Sequence, residues 1–218
     1  MPYTTLSPDT TALVFFDLLN KYVRPNAERA RETAPTIERC VTLRSAARRL
    51  GMPVFCVRPD HRPDGRDTGK LFSDTDARLQ RWTDPETEYF GRDTRPIANT
   101  WDSQIVDELA PEEGDYLILK HRWNAFFQTH LELSLRARGI DTIVLCGGTV
   151  QVGIASTAYG ARDLDFNLVI VRDCCTSHDD TAKDFYMTRV FPFMSRVRNA
   201  EQVLTMLAGD GAAVDCSE

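Results

Sequence analysis

The 218-residue chain has 26 basic and 32 acidic side chains, a formal net charge of -6, and a composition that is 42% apolar and 27% charged. These proportions exclude a disordered or fibrous chain and fit one domain, since a chain of this length buries about 70% of its unfolded surface around a single core. The acidic balance leaves no surplus of cations to displace counterions from a phosphate backbone, so no nucleic-acid partner is expected.

No fixed-period repeat is visible. No stretch reaches the roughly 18 apolar residues that a membrane span needs, and MPYTTLSPDT has no basic segment leading into an apolar one, so no membrane partner and a cytoplasmic location are expected. The six cysteines (Cys40, Cys56, Cys146, Cys174, Cys175, Cys216) include no CxxC and no histidine at ligand spacing, which predicts reduced and mostly buried thiols.

In chain order, Ala12 to Phe16 is a continuous apolar run of the kind that forms a strand buried on both faces. A helix follows over Ala27 to Leu50, with Ile37, Val41, Leu43 and Ala47 on one stripe and Gly51 as its stop. The second strand is Val54 to Val57. Residues 59–100, rich in Arg, Asp, Thr, Gly and Pro, read as a long excursion over an active-site rim within a single domain spanning 1–218. Strands at Tyr116 to Leu119, Ile143 to Cys146 and Leu168 to Val171 then alternate with helices at Phe126 to Ala137, Val152 to Leu164 and Asp180 to Val190. Such alternation predicts an α/β fold, a three-layer, doubly wound, Rossmann-like parallel sheet of about six strands.

In such a sheet ligands collect beyond the carboxyl ends of the strands. The residues there are Asp17, Arg58, Lys120, Gly147 to Gly153 and Asp173 to Thr176. Asp17 sits between FF and LL, where desolvation disfavours its charged form, and an ammonium from Lys120 would restore it; together they make a tuned acid/base pair, whereas an isolated strand-end Asp serves equally as a cap. The glycine-rich turn in CGGTVQVGIASTA leads from strand to helix and leaves backbone N–H groups free for an anion, although tight turns require glycine in any case. It matches neither GxGxxG nor a P-loop. Arg58, Arg62 and Arg66 either favour an anionic small molecule or form a solvated loop. Trp82, Trp101 and Trp123 are pocket walls or ordinary packing.

Together these segments resemble the isochorismatase-like hydrolase family of the cysteine hydrolase superfamily. FFDLLNKYV resembles its D-x-x-N opening (Asp17, Asn20), and LILKHRWNAFFQTHL its K-x-R-x-[SN]-A-F segment (Lys120, Arg122, Asn124, Ala125, Phe126). VLCGGTVQVGIASTAYGARDLDFNLVIVRDCCTS resembles the nucleophile loop, helix and fifth strand. HRPDGRDTGKLF and IVDELAPEEGD resemble connecting segments, so the likeness runs from about Ala12 to Leu207.

The resemblance implies an Asp, Lys and Cys triad in amidase members, but the position of the cysteine is here Gly153. It implies a cysteine-independent hydrolase with Asp17 as general acid, as in members that cleave a vinyl ether by protonating it. It further implies substrate contacts at Arg58, Trp123, Asn124, Gly148, Thr149 and Gln151, a cis peptide between Gly148 and Thr149, and homo-oligomers. Leu19 departs from the usual glutamine. His61 has no second histidine accompanying it, so no metal and no cofactor are expected. Cys146 reads as core; Cys174 and Cys175 follow the fifth strand near the sheet's carboxyl edge, where either one of them reaches the pocket or, as the resemblance favours, neither has a catalytic role. Two alternatives to enol-ether cleavage of a small, anionic substrate stay open: C–N hydrolysis by a water activated in the room Gly153 leaves, and a silent small-molecule-binding homologue.

Overall fold

The computed structural model describes residues 5–67 and 96–209. Six strands, β1 (Thr11–Phe16), β2 (Val54–Pro59), β3 (Tyr116–Lys120), β4 (Thr142–Gly148), β5 (Asn167–Thr176) and β6 (Arg196–Arg198), form one sheet in the order β3-β2-β1-β4-β5-β6. Every neighbouring pair is parallel, with Leu13 beside Val54 and Thr11 beside Thr142 in register. Strand order therefore reverses between β1 and β4, and the crevice that opens there lies between Asp17 and the turn after Gly148.

The period-two alternation of β1 sends its side chains into two cores. Leu13 and Phe15 meet the helices α2 (Ala27–Arg49) and α6 (Ala200–Ala208) on one face of the sheet, through Ile37, Cys40, Leu43, Val203 and Met206. Ala12, Val14 and Phe16 point to the other face. There they pack with Leu131 and Leu135 of α3 (Leu131–Ala137), Ala155 and Ala158 of α4 (Ala155–Asp163), and Met187, which follows α5 (Asp180–Phe185). This is the three-layer arrangement that the strand and helix patterns predict. No helix among the described residues is long and apolar enough to cross a membrane.

Local chemistry sets the boundaries. The Asn26 side chain accepts from Arg29 N at 2.8 Å to start α2, and Gly51, at φ +70°, follows its end. The helix expected from Phe126 begins only at Leu131. Asn124 Oδ1 accepts from Phe126 N at 2.9 Å, and Thr129 Oγ1 takes the Leu131 N–H at 3.2 Å, so side chains capture backbone donors that a continuous helix would use. The helix expected from Val152 starts as a π-turn at Val150–Ile154 and becomes regular at Ala155. Among the α-helices and strands of the described residues, the sequence reading passes over the short helix α1 (Asn20–Val23), β6 and α6. β6 is only three residues, RVR, and α6 carries the overlooked start signal of a capping box between Asn199 and Gln202. Most of the rim excursion, with Trp82, and Cys216 lie outside the described residues.

The tightest point of the sheet is where β4 crosses the end of β1. Gly147 has φ +124°, and a Cβ there would stand on the Phe16 backbone, 2.7 Å from its carbonyl carbon. Gly147→Ala is therefore expected to destabilise the fold by about 3 kcal/mol or more, because neither backbone can yield. Urea unfolding monitored by circular dichroism measures this directly, and a loss under about 1 kcal/mol would show that the crossing is slack.

Candidate active site

β1 ends by delivering Asp17 into the crevice with φ +50°, a left-handed conformation that aspartate tolerates better than most residues. Its N–H still bonds to Val57 O at 3.0 Å, so the carboxylate is aimed by the sheet itself. The segment behind it is pinned as well. Leu19 bridges to Ile105, Val106 N bonds to Leu18 O at 3.0 Å, and Asn20 Nδ2 donates to Trp101 O at 3.2 Å.

Lys120, the last residue of β3, reaches across β2 and places Nζ 3.0 Å from Asp17 Oδ2, with both side chains under 10% exposed. The same ammonium lies 4.5 Å from the centroid of the Phe16 ring, a cation–π contact. Asp17 Oδ1 is buried and has no hydrogen-bond partner among the described residues. Burial pushes the Asp17 carboxyl up to about 6 from 3.8, with Lys120 opposing the rise through charge and hydrogen bonding. One oxygen is thus clamped while the other is held in apolar surroundings without a partner. A group so placed exchanges protons near neutrality.

Facing the pair is the turn from β4 into α4. The Gly148–Thr149 peptide is cis. Thr149 O accepts from both Val152 N and Ile154 N at 3.2 Å, which closes the π-turn containing Gly153. Gly153 is buried, and a Cβ built on it would overlap the Phe16 ring, 2.6 Å from Cζ. The space a longer side chain would need at position 153 is therefore filled by an aromatic edge. Nothing in the FFDLL stretch distinguishes Phe16 from any other strand hydrophobe, so its role was not legible in the sequence.

The remaining expected contacts divide. Gln151 Oε1 lies 2.9 Å from Ser177 Oγ, which ties the turn to the end of β5. Asn124 braces the loop: its Oδ1 caps Phe126 N, and its amide packs so closely on α4 that only glycine fits at position 160. Ala125 N donates to Thr157 Oγ1 at 3.1 Å, seating the same loop on α4. Trp123 is 57% exposed. Arg58 is held by its own turn, 3.3 Å from Asp60 Oδ1, and no described contact joins it to Asp17 or Lys120. Neither Cys174 nor Cys175 opens to the crevice. Both are fully buried, in opposite cores of the sheet, and burial pushes the Cys175 thiol up to about 12.

The expectation that His61 stands without a second histidine is overturned. His121, next to Lys120, brings its ring within 5.6 Å of the His61 ring, and Asp67 lies between them, 3.6 Å from His61 Nδ1 and 3.4 Å from His121 Nε2. Arg122 donates to Asp67 O at 2.9 Å and completes the clasp. Sequence reading missed it because the partners come from two strand ends, more than 50 residues apart.

Overlap between Phe16 and any side chain at position 153 has a measurable consequence. Gly153→Cys is expected to cost about 2–3 kcal/mol through overpacking, and less once Phe16→Leu has shortened the ring. A double-mutant cycle by urea unfolding should give a favourable coupling of about 1 kcal/mol or more; additive costs would mean that Phe16 does not occupy that space.

Comparison with known proteins identifies relatives along most of the chain. Residues 11–202 match the isochorismatase domain. The chain is 35% identical over 202 residues to the isochorismatase family protein YecD of Escherichia coli O157:H7, covering 93% of this chain and 98% of that one. It is 32% identical over 179 residues to the ureidoacrylate amidohydrolase RutB of Methylobacterium radiotolerans, covering 77% and 67%. Among solved structures it resembles an isochorismatase family protein from Burkholderia thailandensis (TM-score 0.76, 29% identity, 93% and 97% coverage). It also resembles N-carbamoylsarcosine amidase from Thermoplasma acidophilum (TM-score 0.67, 28% identity, 88% and 97% coverage). A domain match along nearly the whole chain, together with the shared six-stranded parallel architecture, makes this protein a member of the isochorismatase family of hydrolases.

Proposed function

We propose that the protein is a cysteine-independent hydrolase of a small, anionic metabolite, with Asp17 as general acid and an enol ether as the bond cleaved. The observation that carries this reading is the divided carboxyl of Asp17. Oδ2 is paired with Lys120 and Oδ1 is buried and unpartnered, while position 153 offers no nucleophile.

A protonated Asp17 gives its proton to the terminal carbon of the enol ether, leaving an oxocarbenium ion. Water adds to that ion, and the resulting hemiketal collapses to a carbonyl compound and an alcohol. Asp17 recovers a proton from the added water. As the carboxylate forms, the Lys120 ammonium 3.0 Å away stabilises it, so the pair stores the charge that the transferred proton leaves behind. With its carboxyl raised to about 6, Asp17 keeps a substantial protonated share just below neutrality, where an ordinary aspartate has almost none.

A second reading, C–N hydrolysis by an activated water with Asp17 as base, draws support from the likeness to RutB and N-carbamoylsarcosine amidase. Against it stands the Phe16 ring, which fills the room over Gly153 where that water was expected.

A panel of enol ethers, ureas and amides separates the two: release of a carbonyl product and an alcohol supports the first, and release of ammonia the second. On the enol ether that turns over, Asp17→Asn should lower kcat by about 100-fold or more, the scale of general acid catalysis. Wild-type rates from Asp17→Asn would remove the proposal. Because the protonated form reacts, kcat should fall as pH rises through about 6, tenfold per unit on the limb. Lys120→Met takes away the charge that opposes protonation and should move that limb to higher pH, which stopped-flow or steady-state pH profiles detect; a limb that stays in place would show that Lys120 does not tune Asp17.

A further inference from the structure

On the sheet face opposite Phe16 and Gly153, three thiols converge from three elements: Cys40 of α2, Cys146 of β4 and Cys174 of β5. Their sulfurs all lie within 4.8 Å of one another, and each residue is fully buried. The hydrolytic reading uses none of them. Cys40 Sγ also donates to Cys174 O at 3.8 Å, which ties α2 to β5 at this point.

We propose that Cys40, Cys146 and Cys174 form a binding site for one trivalent, thiophilic centre of the arsenite class, held by three sulfurs. Number of donors, net charge and access point to this class. Among the described residues no fourth histidine, cysteine or carboxylate joins the group, so a tetrahedral structural zinc would be one ligand short. Three thiolates around a monovalent or divalent ion would leave net negative charge among Leu43, Val144, Val169 and Val171, a cost that burial in an apolar core makes large. A trivalent centre with three thiolates is neutral.

Access follows from the chain. Arg39 and Asp173, the sequence neighbours of Cys40 and Cys174, form an ion pair at 3.5 Å whose side chains are 46% and 28% exposed, so both backbone segments that carry these cysteines run next to a partly exposed contact. Arsenous acid is small and uncharged, and enters without carrying a charge into the core. The three sulfurs already stand within 4.8 Å of one another, so one centre can reach all of them in turn. The exchange balances as As(OH)3 plus three Cys–SH giving As(S–Cys)3 plus three water molecules. Three As–O bonds break, three As–S bonds form, each thiol proton leaves with a hydroxide as water, and arsenic stays trivalent.

The test uses the full-length reduced protein and sodium arsenite. After removal of excess arsenite, native mass spectrometry should show one adduct equal to one arsenic less three hydrogens. The thermal midpoint should rise, because the folded cluster presents three thiols already assembled and binds the ligand more tightly than the unfolded chain does. Arsenic X-ray absorption on the wild-type adduct should show three sulfur neighbours, a readout that does not depend on any variant folding. Cys40→Ala, Cys146→Ala and Cys174→Ala should each cut retained arsenic by about tenfold or more, since even supporting contacts weaken such sites on that scale. Cys56→Ala and Cys175→Ala, buried away from the cluster, should retain it. Absence of an adduct, an oxygen neighbour in place of a third sulfur, or an adduct that survives Cys174→Ala would overturn the proposal. Retention of zinc chloride through gel filtration under conditions where arsenite is lost would overturn the trivalent assignment.

Discussion

A carboxylate taken out of water at the mouth of a parallel sheet, and an ammonium brought from two strands away to meet it, set the terms for everything around them. Either charge alone would be costly at such burial, and the 3.0 Å contact between Asp17 and Lys120 makes both tolerable. The sheet supplies the geometry. Asp17 is fixed through its backbone bond to Val57, and Lys120 is fixed as the last paired residue of β3, opposite Pro59. Phe16 adds a third side to the arrangement, offering its face to the ammonium.

Phe16 also changes what the crevice can do. An aromatic edge packed on Gly153 fills with dispersion contacts the space that a longer side chain at this position would take. The turn that carries Gly153 keeps its constrained shape nevertheless, with a cis peptide at Gly148–Thr149 and one carbonyl of Thr149 serving two N–H groups. Ser177 braces that turn through Gln151. Scaffold and reactive group are thus separable here.

Much of the fold is legible in the sequence because it is written in continuous apolar runs. Ala12 to Phe16 and Ile143 to Cys146 are buried along their whole length, and the stripe on Ala27 to Leu50 is the one that meets the sheet. The capture of backbone donors by Asn124 and Thr129 was not legible, since the same residues suit a helix surface equally well. At the site, the pairing of Asp17 with Lys120 could be read from their positions at strand ends. Phe16 could not, because only the crossing of β1 under the π-turn gives one of two adjacent phenylalanines its special neighbour. The meeting of His61, Asp67 and His121 likewise depends on β2 and β3 being adjacent, a fact of topology that no local window contains.

The two ends of the segment between β2 and β3 meet beside the sheet. His61 pairs with Ile97 in a parallel bridge, and Ala98 N bonds to His61 O at 2.8 Å, so the chain leaves and returns at a single seam. Closing a loop at a fixed seam costs only about 0.6 kcal/mol for each doubling of its length. A change of length between these two anchors therefore leaves the register of β2 with β3 as it is, and the seam insulates the sheet from it.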